Sequence, residues 1–364
     1  MKIGILTYHR SHNYGALLQA IALRKVLTGM GHDVTYVDYW PDYHRHMYSL
    51  INLEDLKELG IRGKCRYVKN IVMTLPYRKE RIENFRSFIS GHIEPYVSSP
   101  YDSYDLLIHG SDQIWRKQPE IHTYNPVYFG KNCVQADRKI SYAASMGILP
   151  EEQSDLKVLG DYLQNLDKIS VRESDLKHLV ESFGYTCEQH VDPTLLLSGE
   201  EWVQAMNVHA SEPEKNYLLF YNLMGNSFDV DAIQKFAKAR KLELKILYSR
   251  AAGRNTNRSI TTANPLEFLN LIYNAKFVIT SSFHGLVFSL LFKKPFFASF
   301  CKNEGRAASL LEIVNLKERL LKPMSDIPMD LKEIDYEQVF LAVDKYKRNS
   351  LDYLTKWTVS VPEG

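Results

Sequence analysis

Residues 2–37 read KIGILTYHRSHNYGALLQAIALRKVLTGMGHDVTYV. The first five of these residues are a short apolar run that predicts a strand. From Ala16 to Met30 apolar residues recur every three or four positions, which predicts a helix, and Gly31 is a suitable residue to end it. Val34–Val37 predicts a second strand. This strand–helix–strand order predicts a parallel sheet with a helix packed on it.

The same alternation continues along the chain and begins again at Tyr217. We therefore predict an α/β protein of two doubly wound, Rossmann-like domains with a cleft between them. The polar segment 199–215 separates the two sets. The predicted divisions are 1–205, with a helical insertion at about 50–92, then 206–330, and a C-terminal helical segment over 331–364.

Composition narrows the class of protein. Of the 364 residues, 45% are hydrophobic and 24% charged, which is ordinary for a soluble globular protein. The net charge of +2 argues against a dedicated nucleic-acid binder. The four cysteines form no CxxC pair and the histidines show no metal-ligand spacing, so we expect no metal site and a reducing, cytoplasmic setting. No apolar run is long enough to predict a membrane-spanning helix.

Polar residues follow two predicted strands of the first half, where ligands of parallel sheets bind. They are Asn13, Tyr14 and Gly15 in one segment and Ser111, Asp112 and Gln113 in the other. Gly15 at a helix start would let backbone N–H groups approach an anion, or the segment is a plain loop. Asp112 can accept a proton from a sugar hydroxyl, or it only caps a helix with Ser111. We expect both segments to line the acceptor side of the cleft.

Arg172 directly follows the predicted strand 169–171. A buried guanidinium is costly without an anionic partner, and arginine can bind phosphate through two parallel hydrogen bonds. The alternative is an internal salt bridge with Glu173 or Asp192.

The second half carries the segment Thr280-Ser281-Ser282-Phe283-His284-Gly285 between a strand and a helix. A helix N-terminus favours phosphate, and histidine can supply a proton near neutral pH. A core histidine bonded to the backbone is the alternative. Arg306, at the start of a later helix, is expected either to face the same cleft or to be solvated.

Seven short motifs, in order along most of the chain, resemble those of the polysaccharide pyruvyl transferase family. They are Gly4-Ile5-Leu6-Thr7, Asn13-Tyr14-Gly15-Ala16, Gly110-Ser111-Asp112-Gln113-Ile114-Trp115, Tyr142-Ala143-Ala144-Ser145, Ser170-Val171-Arg172-Glu173, Val191-Asp192-Pro193-Thr194 and Ser281-Ser282-Phe283-His284-Gly285.

The resemblance implies a GT-B-like fold, phosphoenolpyruvate as the donor, no cofactor, and a glycan hydroxyl pair as the acceptor. The product would be a pyruvate ketal on a capsule or exopolysaccharide, built on a glycan such as a lipid-linked repeat unit. The family's histidine corresponds to His284 and its phosphate-binding arginine to Arg172. Some members carry an arginine where this chain has Ser282, so a second cation must come from elsewhere, and our candidate is Arg306.

Roles are therefore expected for two groups of residues. His284 and Asp112 are the catalytic candidates, with His284 as general acid or phosphate contact. The candidates for binding the donor phosphate are Arg172, Ser281, Ser282, Gly285 and Arg306.

Two other functions are compatible with the predicted fold class and these side chains. A nucleotide-sugar-dependent GT-B glycosyltransferase of surface polysaccharide synthesis would share the fold class and need similar side chains. A non-catalytic glycan-binding protein is the other alternative, because 23 tyrosines and four tryptophans are able to stack on sugars.

The segment from Lys57 to Arg86 is rich in lysine and arginine. Such a run is either a solvated face or a basic surface that contacts anionic lipid. We hypothesise peripheral contact with the inner face of the plasma membrane.

Overall fold

The computed structural model describes residues 1–50, 60–99, 102–210, 216–223, 227–251, 253, 255–302 and 304–359. The described strands are β1 Lys2–Leu6, β2 Asp33–Val37, β3 Val97–Ser98, β4 Tyr104–His109, β5 Ala136–Ser141, β6 Ile169–Val171, β7 Cys187–Gln189, β8 Tyr217–Asn222, β9 Glu243–Tyr248, β10 Ser259–Ile260, β11 Phe277–Thr280 and β12 Phe296–Ala298.

The described α-helices alternate with these strands. They are α1 Tyr14–Gly29, α2 Asp42–Met47, α3 Ile61–His92, α4 Gln153–Leu163, α5 Ser174–Ser182, α6 Gly199–Met206, α7 Val230–Ala239, α8 Pro265–Tyr273, α9 Phe283–Leu291, α10 Gly305–Ile313 and α11 Tyr336–Thr358.

Two parallel sheets organise the molecule. The first has the strand order β3-β2-β1-β4-β5, and single bridges such as Ala144–Val171 link the β6–β7 pair to it. The second has the order β10-β9-β8-β11-β12. In both sheets the chain starts at a central strand, winds to one edge, and crosses to the other side, as in Rossmann folds. The predicted fold class, with two Rossmann-like sets, is confirmed.

Burial explains why these segments form strands. β1, β4 and β11 lie in sheet centres and are almost wholly apolar and buried, as strands covered on both faces must be. α9 is buried at every position, from Phe283 to Leu291. Its first residue therefore lies deep in the molecule, at the end of β11.

The two halves share one hydrophobic core. Tyr14, at the start of α1, stacks on Phe268 of α8 with ring centroids 4.7 Å apart, and its hydroxyl donates to the carbonyl of Ala263 at 2.9 Å. A side chain at Gly199 of α6 would meet the carbonyl oxygen of Leu291 at 2.3 Å. These contacts hold the N-terminal end of α1 against α8, and the start of α6 against the C-terminal end of α9.

The C-terminal helix α11 packs on the first half. Tyr353 donates a hydrogen bond to the carbonyl of Ser141 at 2.9 Å, and Ser350 Oγ accepts one from the backbone N–H of Val191 at 3.2 Å. The helix predicted within 331–364 is thus present over 336–358, while 360–364 lie outside the described residues. The division of the chain into 1–205, 206–330 and 331–364 stays a prediction.

Two further expectations concern helices. Helix α3 lies in the predicted helical insertion at 50–92, and α2 lies just before it. Residues 51–59 of the insertion lie outside the described residues. No helix begins directly after Gly110 in the described residues, so the suggested role of Ser111 and Asp112 in capping a helix there is wrong. Asp112 instead has a φ of 73° in an irregular turn. Among the described residues, no helix is both long and apolar enough to cross a membrane.

Candidate functional site

Asp192 joins a guanidinium and an imidazole from different halves of the molecule. Its Oδ2 atom accepts a short hydrogen bond from Arg172 Nη1 and lies 3.5 Å from His284 Nε2. The other oxygen, Oδ1, accepts hydrogen bonds from the hydroxyl and backbone N–H of Thr194 at 2.6 and 3.0 Å. The carboxylate is therefore held rigidly, and it brings Arg172 and His284 to one point.

Arg172 also faces two further carboxylates. Its Nη2 lies 3.8 Å from Asp112 Oδ1, and its Nε lies 3.7 Å from Glu173 Oε1. Both distances are too long for hydrogen bonds. The predicted alternative of internal salt bridges with Glu173 and Asp192 is thus present, but it leaves N–H groups of the guanidinium unused.

Arg306 joins the same cluster from α10. Its Nε lies 3.9 Å from Glu173 Oε1, and its guanidinium carbon is 5.4 Å from the centre of the Phe283 ring. The guanidinium of Arg172 lies 4.9 Å from the same ring. Phe283 therefore holds two guanidinium groups near each other by cation–π contact.

Several polar atoms of the cluster are buried without a hydrogen-bond partner among the described residues. They are Arg172 Nε and Nη2, Arg306 Nε, His284 Nε2 and Glu173 Oε2. Buried donors without partners are costly, and four such nitrogen atoms in one place indicate a site for a ligand with several acceptor oxygens.

Burial and mutual charge set the pKa values here. Burial alone would raise the pKa of Asp192, but the positive charges of Arg172 and His284 outweigh it and hold that pKa well below its usual range. Burial raises the pKa of Glu173. Burial, with repulsion from Arg172, lowers the pKa of Arg306 to about 10, so Arg306 is still a cation at neutral pH.

Gly15 is adjacent to His284 across the contact between the halves. A Cβ atom at Gly15 would lie 1.9 Å from His284 Nδ1. The glycine is needed so that the imidazole can occupy this space, whereas the sequence predicted that it would let an anion approach the backbone.

Three of the residues predicted to contact phosphate, Ser281, Ser282 and Gly285, each take part in local structure. Ser282 Oγ accepts the backbone N–H of Gly285 at 3.3 Å and caps α9, while Ser281 Oγ accepts the backbone N–H of Leu223 at 2.8 Å. A Cβ at Gly285 would lie 2.2 Å from Thr280 Oγ1. The backbone N–H of Gly285 is thus bonded within the protein, and its lack of a side chain serves packing. Phosphate binding by these three residues stays a prediction.

The residues predicted on the acceptor side lie in different places, some in or beside the cluster and others in contacts that hold the fold together. Asp112 is in the cluster, and Gln113, one residue on, has a buried Nε2 without a partner among the described residues. Ser111 is fully buried and its Oγ donates to the carbonyl of Ala143 at 2.6 Å, and its contact with the acceptor stays a prediction. Asn13 caps α1, and Tyr14 is buried between the halves.

Aromatic side chains lie beside Asp112 on the first half. Tyr8 packs against His44 with ring centroids 4.4 Å apart, and Tyr48 packs against His12 at 4.9 Å. Burial raises the pKa values of Tyr8 and Tyr48. The Tyr8 hydroxyl donates a hydrogen bond to the backbone carbonyl of Gln113, next to Asp112, at 3.1 Å.

The cluster is almost closed to solvent. The side chain of Asp192 is fully buried, whereas those of Asp112 and Arg306 are each 12% exposed. Solvent reaches the cluster from the side of these two residues. In the described part of the chain, no group of three or more His, Cys, Asp or Glu residues is arranged to hold a metal ion.

Asp192, Glu173 and Phe283 were not among the predicted site residues. Glu173 comes after β6 and Arg172, and Asp192 comes shortly after β7, close to the strand ends that selected Arg172. The sequence suggested each of them only as a partner for that arginine. Nothing in the sequence distinguishes Phe283 from the other apolar residues of α9.

A family model described as "Polysaccharide pyruvyl transferase" matches residues 13–299, which is most of the chain. The matched region contains Asp112, Arg172, Asp192 and His284. No curated protein shows significant similarity to the chain in sequence.

Solved structures of similar overall shape have low identity to the chain. A UDP-GlcNAc 2-epimerase from Methanocaldococcus jannaschii has a TM-score of 0.48 and 10% identity, over 98% of this chain and 100% of that one. A glycosyltransferase from Rickettsia africae ESF-5 has a TM-score of 0.46 and 12% identity, over 98% and 97%. At this level of similarity, neither bears on the activity of this chain.

Proposed function

The chain belongs to the polysaccharide pyruvyl transferase family, and from that membership we propose that it transfers the enolpyruvyl group of phosphoenolpyruvate to a pair of glycan hydroxyls, forming a pyruvate ketal. The observation that carries this proposal is the set of buried N–H groups of Arg172 and Arg306 that have no hydrogen-bond partner among the described residues. Phosphoenolpyruvate has a phosphate and a carboxylate, whose oxygens can accept all of them.

The two guanidinium groups bind the donor. Arg172 and Arg306 have unused N–H groups, and both lie against Phe283 in surroundings of low dielectric. Attraction between a phosphate and a guanidinium is stronger there than in water. The donor enters past Asp112 and Arg306, the most exposed of these side chains.

His284 is the general acid of the first step. It protonates the methylene carbon of the enol, which becomes the methyl group, and the adjacent carbon acquires oxocarbenium character. One hydroxyl of the acceptor attacks that carbon and loses its proton to a base. Asp192, 3.5 Å from His284 Nε2, stabilises the protonated imidazole before the transfer.

Asp112 accepts the proton of the attacking hydroxyl. The C–O bond to phosphate then breaks, inorganic phosphate leaves, and the second hydroxyl adds to the same carbon to close the ketal. Of the two protons released by the hydroxyls, one replaces the proton used by His284 and the other leaves with phosphate. Tyr8, whose hydroxyl donates to the carbonyl of Gln113 next to Asp112, provides an aromatic surface against which a sugar ring can pack.

The test is a reaction with defined substrates. The protein is incubated with phosphoenolpyruvate and a lipid-linked or free oligosaccharide, released phosphate is measured, and the glycan is analysed by mass spectrometry. We expect phosphate release that depends on the glycan and a glycan heavier by one ketal-linked pyruvate. Sugar transfer from a UDP-sugar to the same acceptor, without reaction of phosphoenolpyruvate, would favour the glycosyltransferase alternative.

A further inference from the structure

Large apolar side chains are exposed along the first half of α3. The exposed fractions are 84% for Ile61, 50% for Val68 and 67% for Val72, and Leu75 and Cys65 are exposed as well. Positions 61, 65, 68, 72 and 75 are separated by four, three, four and three residues, so their side chains lie on one face of the helix. We refer to these five residues as the α3 stripe.

A second face of α3, adjacent to the stripe on the side of Ile71, holds the helix on the protein. Ile71, Thr74, Arg81 and Phe85 are buried there, and Arg81 Nη1 donates to the hydroxyl of Tyr14 at 2.9 Å and to the carbonyl of Thr261 at 3.2 Å. The α3 stripe therefore points away from the molecule, on a helix that both halves anchor.

The charge beside the α3 stripe has one sign. Residues 61–79 contain no aspartate or glutamate and six basic residues, which are Arg62, Lys64, Arg66, Lys69, Arg78 and Lys79. All of these except Arg78 are exposed. If the same face of a second copy packed here, cations would meet cations, which is unfavourable.

We propose that the α3 stripe and its lysines and arginines form a docking surface for an anionic lipid bilayer. An apolar stripe flanked by cations is the pattern of helices that lie in the plane of a membrane interface. The stripe spans 14 residue steps, about 21 Å, so several lipid headgroups contact it at once. The apolar side chains enter the boundary between headgroups and acyl chains, and the cations bind lipid phosphates.

This proposal does not depend on the chemistry proposed for the cluster around Asp192. Binding to vesicles can be measured without donor or acceptor.

Vesicle flotation is the first test. The full-length protein is mixed with vesicles of phosphatidylcholine alone, or of equal parts phosphatidylcholine and phosphatidylglycerol. We expect flotation with the anionic vesicles only, and less of it as salt concentration rises. Equal binding to both kinds of vesicle, or none to the anionic kind, overturns the proposal.

Paired variants separate the apolar and charged contributions. Val68→Ser with Val72→Ser removes apolar contact, and Lys64→Gln with Lys69→Gln should weaken binding to anionic vesicles roughly thirtyfold, at about 1 kcal/mol for each cation. The matched control is Leu341→Ser with Lys345→Gln, at exposed positions of α11, which should bind as wild type does. Unchanged melting temperatures show that the variants fold, and unchanged binding by both stripe variants contradicts the proposal.

Free cysteines allow a local readout. An environment-sensitive dye on Cys65, in the stripe, should shift to shorter wavelength with anionic vesicles, whereas the same dye on exposed Cys301 should not. Each position is labelled with the other exposed cysteine changed to serine. If the dye on Cys65 does not respond, and sedimentation shows a dimer that the Val68→Ser and Val72→Ser changes dissociate, the stripe is a contact between copies and the membrane proposal is wrong.

Discussion

Asp192 is the residue on which the arrangement of the site depends. Its carboxylate contacts both Arg172 and His284, and Thr194 holds its second oxygen. Removing one member of a buried charged group leaves the others uncompensated, so these residues act as a unit. Gly15 belongs to this unit as well, because its missing side chain makes room for His284.

The first prediction concerns His284. We expect His284→Gln to lower kcat by about 10²–10⁴-fold, because the proton for the methylene carbon must then come from water. The measurement is glycan-dependent phosphate release. His178→Gln, at an exposed position of α5, is the control and should keep full activity. A His284→Gln enzyme within a few-fold of wild type would remove His284 from the mechanism.

The second prediction concerns Gly15. We expect Gly15→Ala to reduce activity by at least tenfold, since a displacement of about 1 Å at a catalytic group costs about 10² in rate. Gly29 is also in α1, and a Cβ there meets no atom within 4 Å, so Gly29→Ala is the matched control. The control should keep its activity. If the two variants have equal activity, Gly15 does not position His284.

At the scale of elements, the ends of buried strands supply the site. β6 leads to Arg172 and Glu173, β7 to Asp192, and β11 to the start of α9 with His284. A strand is rigid and buried, so a side chain just beyond its end is held with little freedom. The last residue of β4, His109, is not part of the site. It is buried, and neither of its ring nitrogens is bonded to any described residue.

The third prediction concerns His109, the last residue of β4, and the pH dependence of stability. Burial, with repulsion from Lys139, lowers the pKa of His109 from 6.5 to about 3, so only the unfolded chain takes up this proton between these pH values. Stability therefore falls as pH falls through this window, and His109 accounts for about 2 kcal/mol of the loss between pH 7 and pH 5.

His109→Leu removes this group without removing a hydrogen bond. We expect the free energy of unfolding, measured with urea, to fall between pH 7 and pH 5 by about 2 kcal/mol less in this variant than in wild type. His178→Gln, at an exposed site, should leave the pH dependence as it is. If the two variants show the same pH dependence, His109 is not neutral in the folded protein.

At the scale of the whole molecule, the contact between the halves makes the site. Arg172 and Asp192 belong to the first half, and His284 lies in α9, directly after β11 of the second sheet. Helix α11 returns from the second half to pack on Ser141 and Val191. A ligand that binds across this contact stabilises both halves together.

The fourth prediction follows from this arrangement. Phosphoenolpyruvate should raise the melting temperature by a few degrees at about 100 times its dissociation constant, which corresponds to about 2.7 kcal/mol of added stability. UDP-GlcNAc at the same concentration should have no effect. Arg172→Lys should abolish the shift, because lysine cannot make two parallel hydrogen bonds to phosphate. A shift with UDP-GlcNAc alone would contradict the proposed donor.

The sequence by itself determined the elements of this protein and the places where its site residues occur. Apolar periodicity is a local property, so β1, α1 and β2 could be predicted from residues 2–37, and polar residues after strands identified Asp112, Arg172 and His284. Only the tertiary structure decided which of these residues meet. Asp192 and His284 are 92 positions apart, and Gly15 contacts the same histidine, because the packing of one half on the other determines these contacts. The internal hydrogen bonds of Ser111 Oγ and of the Gly285 N–H could likewise be seen only in the tertiary structure, because their partners are set by how the chain packs.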